Sequence, residues 1–352
     1  MQKNLKIGIS IGDINGIGLE VVLKTFKDNR MLDICTPIIF GSTKLINDYK
    51  KALSLDNMSF HYIKNIDQLK TRKINVLECW NENVSLALGE NNEDGGKYAF
   101  ISLEKATAEL VKNTIDALVT APINKKNIQS DTFSFPGHTE YLADKKKEDV
   151  LMLMTTDSLK VGVVTSHIPL GKVAENVNEK SILQKLELFQ KSLIQDFGIR
   201  KPKIAVLGLN PHAGDSGVLG KEEGKVIVPT IEKAKENNIL AFGPYAADSF
   251  FGSSLMKKFD GVLAMYHDQG LIPFKTISFG QGVNYSAGLS FIRTSPDHGT
   301  AYDIAGKNIA DESSFREAIY LACDIAKKRQ EFKELNTNVL KTHNRSRPNS
   351  DF

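Results

Sequence analysis

The sequence predicts an α/β protein built on a largely parallel sheet. Short apolar runs of strand length recur along the chain, and amphipathic stretches of helical length separate most of them. That strand, helix, strand order favours parallel pairing through right-handed crossovers. Several runs end on clusters of Gly, Pro, Asn and His, which places polar chemistry at strand ends, where open α/β sheets hold their ligands. With 352 residues, 41% of them apolar, the chain is long enough for one large or two closely associated lobes.

Taken in order, Lys6 to Ile11 reads as a strand, broken by Gly12-Asp13 and by Gly16 and Gly18, after which Leu19 to Lys27 reads as a helix. The glycine spacing does not fit a GxGxxG dinucleotide fingerprint, so a tight strand-to-helix turn is the better reading. Pro37 to Phe40 is a second strand, and Ser42 caps a helix running to about Leu53. Segments 59–63 and 74–79 are short strands. A long amphipathic helix, Tyr98 to Lys112, leads into a buried strand at Ala117 to Thr120. The turn Phe135 to Glu140 enters another helix, and the strands Val150 to Thr155 and Lys160 to Thr165 follow.

Asn178 caps a helix to about Phe197, Lys203 to Leu209 is a strand, and a helix begins near Glu223 with Pro229 in its first turns. A short strand and turn, Phe242 to Asp248, precedes a further helix. Gly261 to Met265 is again a strand, and Glu312 to Glu334 is one long helix. The stretch 335–352 is polar, lacks apolar periodicity and is expected to be disordered.

Composition excludes several classes. The net charge is +3 with the basic residues scattered, which argues against nucleic acid or an anionic membrane surface as partner. Cys35, Cys79 and Cys323 stand apart, so neither a disulfide framework nor a CxxC site is indicated, and reduced thiols fit a cytoplasmic protein. The start MQKNLKIGIS has no signal-like apolar core, and no run approaches a membrane span, so a soluble protein is expected.

The densest chemistry lies between Asp260 and Lys307, and histidines organise the rest. His167, His212 and His267 each follow a buried strand, in the settings VVTSHIP, LGLNPHAG and LAMYHDQG. Three imidazoles at the ends of neighbouring parallel strands would hold a divalent ion with open positions for substrate; the bland alternative is that each bonds only to local backbone. Lys275, Asn284 and Arg293 fall on loops and strand starts after His267, where the two cations suit a phosphate or carboxylate or are ordinary surface charge. His138 and Thr139 sit at a helix start, which favours an anion or serves simply as a cap. His298-Gly299-Thr300-Ala301, followed by Asp303 to Lys307, reads as a glycine-bearing turn entering a short helix that would cradle an adenine nucleotide.

The motifs PGHTE (136–140), SHIPL (166–170), NPHAGD (210–215), YHDQGLIPFK (266–275), GVNYSAGL (282–289) and IRTSPDHGTAYDIAGK (292–307), with LVTAPINK (118–125), resemble the 4-hydroxythreonine-4-phosphate dehydrogenase family of pyridoxal phosphate biosynthesis. The resemblance runs from Lys6 to about Lys328. It implies a two-lobed α/β/α sandwich with a mostly parallel sheet, of the isocitrate/isopropylmalate dehydrogenase-like fold. It further implies a homodimer whose site is completed by the partner subunit. Lobe one would comprise 1–130 plus 295–334 and carry the nucleotide loop; lobe two would be 131–294.

The implied metal ligands are His167, His212 and His267, holding Zn, Mg or Co. The implied substrate contacts are His138, Thr139, Lys275, Asn284 and Arg293, and the implied cofactor contacts, for NAD or NADP, are His298, Gly299, Thr300, Ala301 and Asp303. The family commonly reads GDPAGIGPE where this chain has GDINGIGLE, so two prolines are replaced by Ile14 and Leu19, a change of turn stiffness more than of chemistry.

The activity implied is NAD-dependent oxidation of 4-phosphooxy-L-threonine at C3 with loss of carbon dioxide, one Lewis acid serving both steps. Asp248 and Lys275 are the candidates for the proton acceptor. A dehydrogenase for threonate or erythronate 4-phosphate, a metal-dependent phosphohydrolase and a noncatalytic phosphometabolite sensor are the competing readings.

Overall fold

The computed structural model describes residues 4–55 and 57–337. Twelve strands form one sheet in the order β3-β4-β2-β1-β5-β12-β11-β6-β7-β10-β8-β9. They are β1 (Leu5–Ser10), β2 (Cys35–Gly41), β3 (Phe60–Ile63), β4 (Ile74–Glu78), β5 (Ala117–Thr120), β6 (Leu151–Thr155), β7 (Lys160–Thr165), β8 (Lys203–Leu207), β9 (Leu240–Tyr245), β10 (Gly261–Tyr266), β11 (Val283–Ala287) and β12 (Arg293–Pro296). The fold is thus mixed α/β with a mostly parallel sheet, as expected. Among the described residues no helix is long and apolar enough to cross a membrane.

The apolar strands are buried on both faces, which is why they read as continuous runs. In β10, Leu263 and Met265 join one apolar cluster while Val262 and Ala264 join another, and Ile204 and Val206 alternate in the same way with Ala205 and Leu207 in β8. The helix Glu179–Gln195 supplies Leu186, Phe189 and Leu193 to the first cluster, and the helix His267–Ser278 supplies Leu271 and Phe274 to the second. Local signals set the helix starts. Ser42 accepts the Leu45 N–H, and Asn178 and Ser181 form a reciprocal capping box.

Three departures from the sequence-based expectation bear on the site. The strand, helix, strand order is not kept throughout, because β12–β11, β11–β6 and β6–β7 pair antiparallel in the middle of the sheet. Thr156 to Leu159 joins β6 to β7 by a tight turn, far too short for a crossover. Lys275 lies on a helix rather than a loop, since His267–Ser278 is helical despite Gly270 and Pro273. The segment after Ala301 forms turns and no helix, with Ala301, Gly306 and Asn308 all at positive φ. The C-terminal helix runs Ser313–Thr337, so the expected tail is helical at 335–337, and 338–352 lie outside the described residues.

Candidate active site

A cleft of about 290 Å³ gathers side chains from the carboxyl ends of β5, β7, β10 and β12 and from the helix His138–Lys146. At its floor is Arg293, the first residue of β12 and only 2% exposed. Its Nε and Nη2 donate to Thr120 Oγ1 at 3.1 and 2.7 Å, and its Nη1 to Ser286 Oγ at 3.2 Å and Thr139 Oγ1 at 3.4 Å. All of these partners are neutral hydroxyls. Burial pulls the guanidinium down to about 9, which leaves it charged at neutral pH. Glu140 acts on it only through space, so the charge is incompletely met, and an anion arriving in the cleft would relieve the cost of burying it.

Four of the buried polar side-chain atoms that lack a hydrogen-bond partner among the described residues border this cleft: His138 Nε2, Glu140 Oε2, Asn284 Oδ1 and His298 Nε2. Others of this kind lie elsewhere in the protein, but the four that share one cavity with Arg293 make it a candidate ligand site. Burial, then the charges of Arg293 and Lys125, holds His138 well below the usual histidine range, so it stays neutral. Lys275 also lines the cleft and is ion-paired at 2.9 Å with Asp297, whose carboxyl burial pushes upward.

His138 yields a pH prediction. Because its folded pKa is depressed, the unfolded chain takes up the proton first as pH falls below the ordinary value of 6.5, and folding stability drops with it. In His138→Asn that component vanishes, so its unfolding free energy should fall less steeply than wild type below pH 6.5 in denaturant titrations. Parallel slopes for the two proteins would refute it.

His167 and His267 face each other with ring centroids 6.0 Å apart. His167 Nδ1 donates to Glu140 Oε1 at 2.9 Å and His267 Nδ1 to Asp268 Oδ1 at 2.6 Å. A carboxylate on Nδ1 fixes the tautomer and puts the lone pair on Nε2, the usual outer arrangement of a histidine ligand, although in this chain only His267 Nε2 is clear of the Lys125 ammonium. Lys125 Nζ lies 3.4 Å from His167 Nε2. The third histidine is not with them. His212 sits exposed beyond β8 and does not line the cleft, and among the described residues no group of three or more His, Cys, Asp or Glu is close enough to hold a metal. One chain therefore brings together two of the three expected ligands.

Of the expected cofactor residues, His298 and Gly299 line the cleft, while Thr300, Ala301 and Asp303 do not. Thr300 instead braces the N-terminal turn: its carbonyl accepts the Ile17 N–H at 2.9 Å, and a Cβ on Gly16 would come within 2.8 Å of it. Buried Asp13 accepts from Tyr302 Oη and Asn127 Nδ2, each at 2.7 Å. The glycine turn thus supports the 298–303 segment. Ile14 and Leu19, the two replacements in that turn, are fully buried in the core. Asp248 is exposed on the helix Ala247–Phe251 and does not line the cleft. Sequence reasoning assigned no role to Lys125, Glu140 or Asp297 although each lies within one of the motifs, because its partner is distant in sequence.

The sequence model of the family described as pyridoxal phosphate biosynthetic protein PdxA matches residues 33–322. The chain belongs to the PdxA family. A 4-hydroxythreonine-4-phosphate dehydrogenase from Bacteroides thetaiotaomicron is 47% identical, the match covering 100% of this chain and 97% of that protein. A relative from Oceanobacillus iheyensis with the provisional name D-threonate 4-phosphate dehydrogenase is 37% identical, covering 93% and 99%. The crystal structure of the Klebsiella pneumoniae 4-hydroxythreonine-4-phosphate dehydrogenase superposes with a TM-score of 0.77 at 33% identity, over 93% of this chain and 98% of that one. Within the PdxA family, the Arg293 cleft is the site that these relatives' substrates bring into question.

Proposed function

We propose that this PdxA-family chain oxidises 4-phosphooxy-L-threonine at its C3 hydroxyl with NAD or NADP and releases carbon dioxide, giving 3-amino-2-oxopropyl phosphate for pyridoxal 5′-phosphate biosynthesis. The observation that carries the reading is Arg293, a buried cation bonded only to hydroxyls beneath a cleft of partnerless polar atoms. A substrate anion settles against Arg293, Thr139 and neutral His138, and Lys275, held by Asp297, adds a second positive charge. Asn284 Oδ1 is an acceptor without a donor and suits the C2 amine. Of the two proton acceptors considered, Asp248 of the same chain does not line the cleft, and Lys275, which does, is ion-paired with Asp297 and would have to shed its own proton before accepting one.

His167 and His267, oriented by Glu140 and Asp268, would hold a divalent ion (Zn, Mg or Co) together with a His212. A bound ion would supply Lewis-acid polarisation at C3, and a bound nicotinamide would supply the hydride-accepting chemistry. His298 and Gly299 present the nucleotide side of the cleft, and burial keeps His298 below the usual histidine range and so neutral.

The distance of His212 from the other two histidines supports a homodimer in which a partner chain completes each metal site. The surfaces beside all three ligands are apolar and open: Leu170 is 74% exposed, Val218 79% and Ile272 64%. Exposed apolar surface flanking a site suits burial against a second copy. The reversal of strand sense at β12–β11 supports the division into lobes 1–130 with 295–334 and 131–294. The three free, buried cysteines fit a cytoplasmic setting.

The deciding experiment supplies 4-phosphooxy-L-threonine or D-threonate 4-phosphate with NAD and Mg²⁺, and follows NADH absorbance beside inorganic phosphate. Faster NADH formation from the amino substrate is expected, without phosphate release. Preference for threonate 4-phosphate would move the assignment to the other branch of relatives. Phosphate release without NADH would replace it with a phosphohydrolase.

A further inference from the structure

The loop that carries His212 has an unusual backbone. His212, Ala213, Gly214, Asp215 and Ser216 all lie in the left-handed region, with φ of 51, 48, 80, 39 and 55°. Four of the five carry a Cβ, which makes this conformation strained at each of them. A run of this kind persists only where its surroundings over-determine it.

The element that does so is Glu223, which opens the π turn Glu223–Ile227 and is 5% exposed. Its Oε1 accepts the backbone N–H of Leu209 and of Asn210, each at 2.8 Å, and its Oε2 accepts Asn210 Nδ2 at 3.0 Å. The same amide donates to Glu222 Oε2 at 2.9 Å. A methyl group on Gly214 would strike Glu223 Oε2, and one on Gly208 would stand 3.2 Å from Oε1. The loop is therefore folded around this carboxylate. Burial pushes the carboxyl upward, but the hydrogen bonds from Asn210 and Leu209 outweigh it and keep the group ionised.

We propose that Glu223 is a positioning residue for His212: its buried carboxylate pins Leu209 and Asn210 and so fixes the left-handed segment in the shape that presents the imidazole. The proposal rests on the reading of His212 as a metal ligand. Glu223 makes no contact with substrate in this reading and acts only through the loop.

The test titrates the metal-stripped wild type and the variants His212→Ala, Glu223→Gln and Asn210→Ala with Co²⁺ alone. It reads affinity by chelator competition and ligand geometry by the visible absorption of Co²⁺. Glu223→Gln leaves one acceptor oxygen for the two backbone donors and the Asn210 amide and sets an NH2 against one of them, and is expected to weaken Co²⁺ binding about 10–100-fold and alter the spectrum, with circular dichroism and oligomeric state unchanged. Asn210→Ala keeps the two backbone bonds and is expected to shift affinity the same way by less. Affinity within about twofold of wild type for both, while His212→Ala loses the metal, would overturn the proposal. If His212→Ala binds Co²⁺ as wild type does, the metal reading falls and this proposal falls with it. A Glu223→Gln protein that does not fold leaves the decision to Asn210→Ala, whose unchanged affinity would be the overturning result.

Discussion

Arg293→Met should leave the ligand-free protein at least as stable as wild type while reducing kcat/KM by about 10²–10⁴-fold. The two halves of this prediction come from the same observation. The guanidinium is buried and charged, and it hydrogen-bonds only to Thr120, Thr139 and Ser286 hydroxyls, with the Glu140 carboxylate acting on it through space. A desolvated ion costs several kcal/mol, whereas the hydroxyl left alone at Thr120 costs about 1–3 kcal/mol, and Thr139 and Ser286 keep their mutual bond at 3.1 Å. Methionine removes the greater of these two costs.

With substrate present the balance reverses. Two charge-assisted bonds to a phosphate or carboxylate, about 1.5–3 kcal/mol each, disappear, which gives the predicted range in kcat/KM. The loss should fall mainly on KM, because the bonds are present in ground and transition states alike. Arg293→Lys should recover only part of it, since an ammonium lacks the planar fork. Inorganic phosphate should raise the melting temperature of wild type and leave that of Arg293→Met unchanged. A ligand-free variant that melts well below wild type, or one with wild-type KM, would refute the account.

What the sequence disclosed follows the range of the interactions involved. Caps at Ser42 and Asn178 depend on partners three residues away, and the strands ending at Thr120, Thr165 and Tyr266 are continuous apolar runs, so both are legible. The helix His267–Ser278 is not, because Gly270 and Pro273 interrupt a helical pattern that packing of Leu271 and Phe274 nevertheless enforces. The turns after Ala301 read as a helix because positive φ at Ala301 and Asn308 has no reliable sequence mark.

The site shows the same division. Its histidines, Lys275 and Arg293 can be singled out, but their pairings join residues 22 positions apart for Lys275 and Asp297, 27 for Glu140 and His167, and 173 for Arg293 and Thr120. No local pattern records those. The antiparallel centre of the sheet was readable in principle, since the short link from Thr155 to Lys160 forbids a crossover.

Mixing two inactive variants should restore activity, and the amount restored tests the shared metal site. In this chain His167 and His267 lie together, while His212 is carried beyond β8 on a separate loop. If a partner's loop completes each site, His212→Ala and His267→Ala homodimers have no intact ligand set, and each should lose most turnover and most metal affinity. A hybrid of the two differs. One of its sites takes His167 and His267 from the first variant and an unmutated loop from the second, so it is whole; the other site carries both lesions. Random reassortment of equal amounts makes half the dimers hybrid with one site in two intact, so about a quarter of wild-type activity should return. Mixing His167→Ala with His267→Ala should return nothing, because their lesions fall in the same half of the site. Recovery in that second mixture, or none in the first, would show that the three histidines do not divide between chains as proposed.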